Sequence, residues 1–221
     1  MHVIGILNTK GGCGKTTLTT CLAVRAVGPV GTPLGKAEAQ VAVVDLDPQS
    51  SYSDWYARRG SPDNPALLLG EDRASDAVEA LLLTSPYDYV FVDGPTNALL
   101  ITEDAIKAST FVIIPMKASG LDLAAAQDCI SLCNELKTPY LVVINDKGQH
   151  DDKLVKEANN LLFSWNVPIA KTVISHRVPY INAITTGKTG PEKDKKAAEE
   201  IDALWIEVKT AVRKARKARA A

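Results

Sequence analysis

The hydrophobic residues of this chain fall mainly into short uninterrupted runs, and the runs alternate with segments of helical periodicity. Val3–Leu7 and Val41–Asp45 are such runs, and few polar residues interrupt them. This is typical of strands that are buried on both faces of a parallel sheet. The other runs are Tyr89–Asp93, Phe111–Pro115, Tyr140–Asn145 and Ile169–Val173. The alternation predicts an α/β fold with a doubly wound, mostly parallel sheet and helices on both faces.

Apolar residues at helical spacing predict the segments between the strands. The expected helices are Lys15–Val27, Ala74–Leu83, Leu121–Leu136 and Asp152–Trp165, with a last helix from about Lys193. The glycine- and proline-rich stretches Gly28–Lys36 and Gly60–Pro65 are predicted to be irregular, the second lying between a short helix around Trp55 and an apolar run at Ala66–Leu69. Neither an internal repeat nor a linker is visible, so a single domain is expected over residues 1–221.

The composition agrees with this fold class, and it indicates the cellular compartment in which the protein is expected. Hydrophobic residues make up 46% of the 221 residues, charged residues 23%, and the net charge is −1, as in an ordinary water-soluble globular protein. No apolar stretch approaches the roughly 20 residues that a membrane-spanning helix needs. The N-terminus enters the first predicted strand directly, which leaves no room for a signal peptide. We therefore expect a cytoplasmic protein.

The four cysteines point first to a structural role. They are Cys13, Cys21, Cys129 and Cys133, and no C-x-x-C pair occurs among them. In the cytoplasm free thiols are the usual state, and buried cysteines behave as small hydrophobic residues. An iron–sulfur role is the alternative.

A glycine-rich segment follows the first predicted strand and opens the first predicted helix. It reads Asn-Thr-Lys-Gly-Gly-Cys-Gly-Lys-Thr-Thr over residues 8–17. Glycines 11, 12 and 14 allow backbone N–H groups to converge on phosphate oxygens, and the helix N-terminus favours the anion. Lys15 adds a positive charge, and the Thr16 hydroxyl is placed to bind Mg²⁺. The segment therefore predicts a phosphate site with Mg²⁺, formed by Gly11, Gly12, Cys13, Gly14, Lys15, Thr16 and Thr17.

A second lysine distinguishes this loop from the common G-x-x-x-x-G-K-[ST] pattern. Thr9 replaces its first glycine, and Lys10 gives the form K-G-G-x-G-K-T-T. This resembles the deviant Walker A motif of the ParA/MinD family of P-loop ATPases. The resemblance implies that Lys10 reaches across a dimer, in which two nucleotides lie between the subunits, to the ATP of the partner. Lys10, Lys15 and Asp47 are the catalytic residues that it implies.

Two further strand ends carry carboxylates toward the same site. Asp45 and Asp47 lie two residues apart at the end of the second strand and can face the same loop, and Pro48 ends the strand. The segment is similar to the D-x-D-P-Q switch I of ParA proteins, which implies that Asp47 activates the attacking water and Asp45 supports Mg²⁺ indirectly. Asp93, at the end of a buried strand, has the Walker B form and would hold Mg²⁺ through water.

The resemblance extends along the rest of the chain. Residues 115–123 resemble the family's P-x-x-x-S-x-L-D segment, which caps a helix beside the dimer interface. Residues 175–187 resemble the R-x-x-Y-x-x-A-x-x-x-G stretch of short ParA proteins, the type without an N-terminal DNA-binding domain. Asn145 and Pro191 lie where relatives contact adenine. Arg177 would either touch DNA in the dimer or pair with a carboxylate.

The C-terminal segment carries an unusual concentration of positive charge. From residue 209 to 219 there are six basic residues and no acidic one. Cations at a helix C-terminus complement the helix dipole, but six of them also suggest a polyanion. Alanine is the only apolar type in residues 213–221, too small to insert into a membrane, so nucleic acid is favoured over a membrane. The residues expected to bind DNA are Arg177, Arg213, Lys214, Arg216, Lys217 and Arg219.

The function that the resemblance implies is a ParA-type ATPase working as an ATP-dependent switch. An ATP-dependent homodimer would double the basic residues on one surface and bind nonspecific DNA over the nucleoid. Slow hydrolysis, stimulated by a ParB-like or cargo adaptor protein, would release it. Plasmid partition is the expected task, and positioning of a carboxysome or a chemoreceptor cluster is the alternative. A metal-cluster carrier or reductase, and a ligase similar to dethiobiotin synthetase, are rivals from other classes.

Overall fold

The computed structural model describes residues 1–29, 38–69, 73–84 and 87–220. Most of the predicted loop Gly28–Lys36 therefore lies outside the described residues. The strands are β1 (His2–Ile6), β2 (Val41–Asp45), β3 (Ala66–Leu69), β4 (Tyr89–Asp93), β5 (Phe111–Met116) and β6 (Tyr140–Ile144). The helices are α1 (Lys15–Val27), α2 (Ser51–Arg58), α3 (Ala74–Thr84), α4 (Leu99–Ala108), α5 (Gly120–Glu135), α6 (Asp152–Ser164), α7 (Val178–Ile184) and α8 (Lys195–Ala220), with a 3₁₀ turn at Gly190–Glu192.

The six strands form one parallel sheet in the order β3-β2-β4-β1-β5-β6. The first strand is central, and the chain leaves it first toward β2 on one side and later toward β5 on the other. A crevice forms at such a reversal, outside the carboxyl ends of the strands, and it is the usual ligand site in open α/β sheets. Here the segment after β1 and the ends of β2 and β4 meet at that place, because Asp45, Asp93 and Ile6 are aligned in register.

Alternate residues of each strand supply the two faces of the sheet. Ile4 and Ile6 of β1 face a cluster formed with α1 and α8, whereas Val3 faces the helices α3, α4 and α5 on the other side. The stripe predicted for the last helix is confirmed, since its apolar residues are buried in the first cluster: Ile201, Leu204, Trp205, Val208 and Val212. The expected fold class is thereby confirmed.

The prediction of a strand at Ile169–Val173 is wrong. The segment runs beside β6 but forms only isolated bridges, such as that between Val142 and Ile169. The reason is that the backbone N–H groups of Lys171 and Thr172 donate to the Glu207 carboxylate of α8 instead of to a neighbouring strand. Helices α4 and α7 were not predicted. Among the described residues, no helix combines the length and the apolar character needed to cross a membrane.

Candidate functional site

The glycine-rich loop after β1 has the shape of an anion cradle. Gly12 and Gly14 have φ values of 72° and 90°, a region that residues with side chains rarely adopt. A Cβ at Gly14 would lie 2.0 Å from the side-chain nitrogen of Asn145, so a side chain is excluded there. Helix α1 begins at Lys15, directly after the loop, and directs its positive end toward the cradle. The predicted residues Gly11, Cys13 and Thr17 belong to the same turn and helix start.

The two lysines of the loop occupy different environments. Lys15 is 5% exposed, and its ammonium donates to the Lys10 backbone carbonyl across 3.0 Å. This places a buried cation inside the cradle, where the charge of a phosphate would be its natural counterion. The Lys10 side chain leaves the loop, and its Nζ lies 3.0 Å from Asp122 Oδ2 on α5.

Asp122 holds the Lys10 side chain in place within the same chain. The Asp122 carboxylate is buried, accepts a hydrogen bond from the Ser119 hydroxyl at the start of α5, and leaves its Oδ1 atom without a partner. Ser119 also caps α5 by accepting from the Asp122 N–H, as predicted for this segment. An ion pair at the surface contributes little, but a buried carboxylate loses more when its cation leaves. The Lys10 side chain is therefore held by a partner in the same chain in this structure.

Two asparagines hold the loop in place, one at its start and one at the end of β6. Asn8 donates from its side-chain amide to the Pro115 carbonyl and accepts from the Lys10 N–H, at 2.8 and 2.9 Å. Asn145, at the end of β6, donates to the Cys13 carbonyl across 2.8 Å and is 5% exposed. Asn145 thus holds the backbone of the cradle in position through this hydrogen bond. The adenine contact that was expected for it stays a prediction.

The end of β4 joins the cradle through a buried carboxylate. Asp93 is fully buried and accepts hydrogen bonds from Thr16 and Thr19, both at 2.8 Å. Burial raises the pKa of Asp93 to about 7, against the lowering effect of the two threonine hydrogen bonds. A divalent cation near Thr16 would favour the ionised form. The predicted pair Thr16 and Asp93 is therefore in direct contact, and Thr19 is a member that the motif did not indicate.

The two aspartates of the switch I segment point to different partners. Asp45 is buried, and its carboxylate accepts from the Asp47 N–H and from both the N–H and the hydroxyl of Ser53 on α2. Asp47 is half-buried, and its carboxylate accepts from the Gln49 N–H across 2.9 Å. Asp45 therefore anchors the start of α2, while Asp47 keeps an accessible carboxylate. The Mg²⁺ role predicted for Asp45 stays a prediction.

The residues at the cradle fit a nucleotide with Mg²⁺. The positive-φ glycines, the buried Lys15 and the helix N-terminus suit phosphate oxygens, and the Thr16–Asp93 pair supplies oxygen donors of the kind Mg²⁺ prefers. In the described part of the chain, no group of three or more histidine, cysteine or acidic residues could hold a metal by itself. A magnesium ion at Thr16 would thus share its coordination with phosphate oxygens and water.

Pro191 lies in a loop that is firmly packed. It is buried in the 3₁₀ turn, between α7 and α8. The turn is opened by a capping box in which Thr189 and Glu192 exchange hydrogen bonds. The same Glu192 forms a two-point pair with Arg59 at the end of α2. Arg59 had no motif to identify it in the sequence.

Of the two roles considered for Arg177, the structure contains the ion pair. Its guanidinium donates to Glu200 Oε1 across 2.7 Å, and Tyr180 donates to the other oxygen of Glu200. This pair raises the pKa of Arg177 and joins the start of α7 to α8. A DNA contact by Arg177 remains a prediction, and it would compete with this internal partner.

The basic end of α8 lies far from the cradle. The helix starts beside the 3₁₀ turn, and Arg213 in its later part lies near His2 and Tyr89, the first residues of two parallel strands, whereas the cradle follows the strand ends. Burial lowers the pKa of His2, and the N-terminal amine, Arg216 and Arg213 add to this effect. Arg213, Lys214, Arg216 and Lys217 are exposed, and the side chain of Arg219 lies outside the described part. These cations thus form a basic surface at the opposite end of the sheet.

The four cysteines are buried thiols. Cys13, Cys129 and Cys133 are 0% exposed and Cys21 is 2% exposed. A cluster shared between two subunits would need thiolates at the surface, since only these could reach the partner. Burial also raises the pKa of Cys13 and that of Cys21 (to about 12), which opposes thiolate formation. The structural reading is thus favoured for these residues.

Comparison with known proteins agrees with this geometry. Residues 4–190 match the CobQ/CobB/MinD/ParA nucleotide binding domain. Over 217 residues the chain is 26% identical to the maintenance of carboxysome distribution protein A of Halothiobacillus neapolitanus, covering 93% of this chain and 95% of that protein. It is 25% identical over 158 residues to the chromosome partitioning protein ParA of Caulobacter vibrioides, covering 53% and 56% of the two chains.

Solved structures share the fold at lower identity. The ATP complex of a McdA variant from Cyanothece superposes with a TM-score of 0.72 at 17% identity, covering 96% of each chain. The MinD cell division protein of Aquifex aeolicus gives 0.75 at 18% identity, covering 95% of this chain and 98% of that one. Because the family match covers most of the chain, this protein belongs to the CobQ/CobB/MinD/ParA family of nucleotide-binding domains and resembles its ParA-type ATPases.

Proposed function

We propose that this protein is an ATP-hydrolysing switch that forms a homodimer on ATP, binds nonspecific DNA and positions a cargo in the cytoplasm over the nucleoid. The observation that carries the proposal is the second lysine of the loop. Lys10 is not needed to complete the cradle, because Lys15 already occupies it. Instead Lys10 sits at the rim on a releasable ion pair, 34% exposed, where it can exchange Asp122 for another anion.

The chemistry of hydrolysis is assigned to three residues. Lys15 binds the phosphates inside its own cradle, Asp47 orients the attacking water through its accessible carboxylate, and Lys10 of the partner subunit neutralises charge that develops in the transition state. Bound Mg²⁺ would supply further positive charge at the phosphates, held near Thr16 and Asp93. Because Lys10 acts only after dimerisation, hydrolysis is slow in the monomer, and an adaptor of the ParB type would stimulate it.

We expect DNA binding to depend on the dimer through the basic ends of α8. In a dimer joined through the cradles, these ends would lie away from the joined faces and would form two basic surfaces on one particle rather than the single surface expected from the sequence. Linking two weak binding sites raises the overall affinity without any new contact, and each surface loses affinity steeply with salt.

The cargo is assigned to a large cellular assembly. The full-length similarity to a carboxysome distribution protein favours a protein cargo of that kind. Similarity to a chromosome partitioning protein covers about half of each chain and supports DNA partition as the second candidate. Both tasks require the same ATP-dependent switch, so they differ in the adaptor and not in the site. No cysteine arrangement among the described residues favours the metal-cluster carrier.

Steady-state phosphate release tests the proposal. We expect the wild-type protein to hydrolyse ATP slowly, and the rate per subunit to rise with protein concentration because the active species is a dimer. Lys10→Ala and Asp47→Ala should each lower the rate by at least about tenfold, in line with the removal of one charge-stabilising group. Lys153→Ala, which removes an exposed lysine of α6, is the matched control and should have no effect. Normal hydrolysis by Lys10→Ala would refute the assignment.

A further inference from the structure

The loop that carries Pro191 is fastened to helix α2 by contacts that do not follow from any motif. Trp55 is fully buried and donates from Nε1 to the Lys188 carbonyl across 2.9 Å. Arg59 donates to the Gly187 carbonyl across 3.0 Å and to both carboxylate oxygens of Glu192, at 3.0 and 3.1 Å. Such a two-point pair fixes orientation as well as distance.

The loop that carries Pro191 and the end of α2 are in close contact. Gly187 has φ +66°, and a Cβ there would lie 2.3 Å from the Arg59 backbone nitrogen, so the two backbones touch. The Arg59 guanidinium also lies over the Trp55 ring, 5.2 Å from its centre. Burial disfavours the charge of Glu192, but the Arg59 hydrogen bonds and those from Thr189 hold the pKa of Glu192 below its usual value. The pair therefore remains charged and intact at neutral pH.

Helix α2 leads from this fastening directly to the switch I aspartates. The helix has only eight residues, and its start is anchored to Asp45 through Ser53. The Asp47 carbonyl accepts from the Ser50 N–H across 2.7 Å just before the first helical residue. A displacement of the far end of so short a rigid element is passed to Asp47, because little chain lies between them.

We propose that Arg59, through Glu192, is a positioning residue that makes hydrolysis depend on the base of the nucleotide. The inference rests on the proposed function, in which Asp47 orients water, and on the predicted contact of Pro191 with adenine. Adenine bound beneath Pro191 fixes the position of the 187–192 loop. The Arg59–Glu192 pair fixes α2 relative to that loop, and α2 in turn fixes the position of Asp47. A nucleotide with a different base binds the same phosphate cradle but leaves α2 less well placed.

The experiment compares ATP with GTP in phosphate release and, separately, in equilibrium binding by fluorescent analogues of each. Arg59→Gln removes the pair, and Arg58→Gln is the matched control, because Arg58 is the adjacent arginine and its guanidinium pairs with Asp54 of the same helix. Couplings between two sites in proteins span roughly 5- to 150-fold. We expect Arg59→Gln to lower the ATP-to-GTP ratio of kcat by about tenfold while the affinity for either triphosphate changes by less than about threefold.

A second variant guards against simple misfolding. Glu192→Gln keeps a side-chain oxygen for the Thr189 capping box but loses the ion pair, and it should reproduce the loss of base preference with a native thermal unfolding transition. If Arg59→Gln slows ATP and GTP hydrolysis equally, or leaves both unchanged, the pair is merely structural and the inference is wrong, although the proposed function stands. If the wild-type protein hydrolyses no ATP, the proposed function fails and the inference falls with it.

Discussion

The contact between Lys10 and Asp122 makes a quantitative prediction about dimerisation. If Lys10 must leave its own subunit to reach the partner's nucleotide, the energy of this pair opposes assembly. The charges lie 3.0 Å apart, which corresponds to roughly 5 kcal/mol of Coulomb energy at an effective dielectric constant of 20. Desolvation and the 34% exposure of Lys10 reduce the net value to about 1 kcal/mol per subunit.

The variant Asp122→Asn removes the carboxylate charge and retains an oxygen that can accept from Ser119. Formation of each wild-type dimer requires two such pairs to break, so the variant avoids a cost of about 2 kcal/mol. Its dimer dissociation constant with a non-hydrolysable ATP analogue should therefore be about 30-fold lower than that of the wild-type protein. Sedimentation equilibrium over a range of protein concentrations measures it. Asp128→Asn, which removes an exposed acid of the same helix, is the control.

The opposite outcome would be equally informative. If Asp122→Asn dimerises as weakly as the wild-type protein, or more weakly, Asp122 does not restrain Lys10. Weaker dimerisation would instead indicate that Asp122 holds Lys10 in a position that the dimer needs. A changed unfolding transition would identify a general loss of structure, and it should be absent because the substitution is isosteric.

Three further predictions follow from single features. Gly14→Ala should abolish binding of a fluorescent ATP analogue, because its Cβ would lie 2.0 Å from a buried amide, whereas Gly12→Ala, with nothing within 4 Å, should weaken binding only through its backbone strain. Asp93 has a pKa of about 7 in the folded protein and 3.8 ordinarily, so the folded state retains a proton that the unfolded chain releases. The nucleotide-free protein should therefore lose thermal stability as the pH rises from about 4 to 7, and Asp93→Asn should lose less. Replacing Lys214 and Lys217 with glutamine should reduce the slope of log K for DNA against log salt by about 2 per subunit bound.

Much of the fold could be read from the sequence because buried parallel strands are nearly continuous in their apolar residues. The β4 run ending in Asp93 and the β1 run before the glycine-rich loop are of this kind, and both strands were located to within a residue. The run at Ile169–Val173 looks the same but pairs poorly, since Glu207 captures its backbone N–H groups. That competition arises from a helix distant in sequence, which local periodicity cannot reveal.

The residues of the site also divide into those that the sequence identifies and those that it does not. Gly14, Lys15 and Thr16 were identifiable because phosphate binding requires adjacent residues in a fixed order, and the aspartates because strand ends meet at one edge. Asn8 and Arg59 were not, because each acts through a partner more than a hundred residues away. The position of the basic surface was also beyond reach, since it depends on the direction in which α8 crosses the sheet.

The most direct test of the switch is binding to nonspecific duplex DNA at two salt concentrations, with no nucleotide, ADP, ATP or a non-hydrolysable ATP analogue. We expect tight binding only with ATP or the analogue, weakened steeply by salt and lost in Lys10→Ala. Equal binding in every nucleotide state would show that the basic surface acts independently of the cradle, and no binding in any state would contradict the DNA-bound switch altogether.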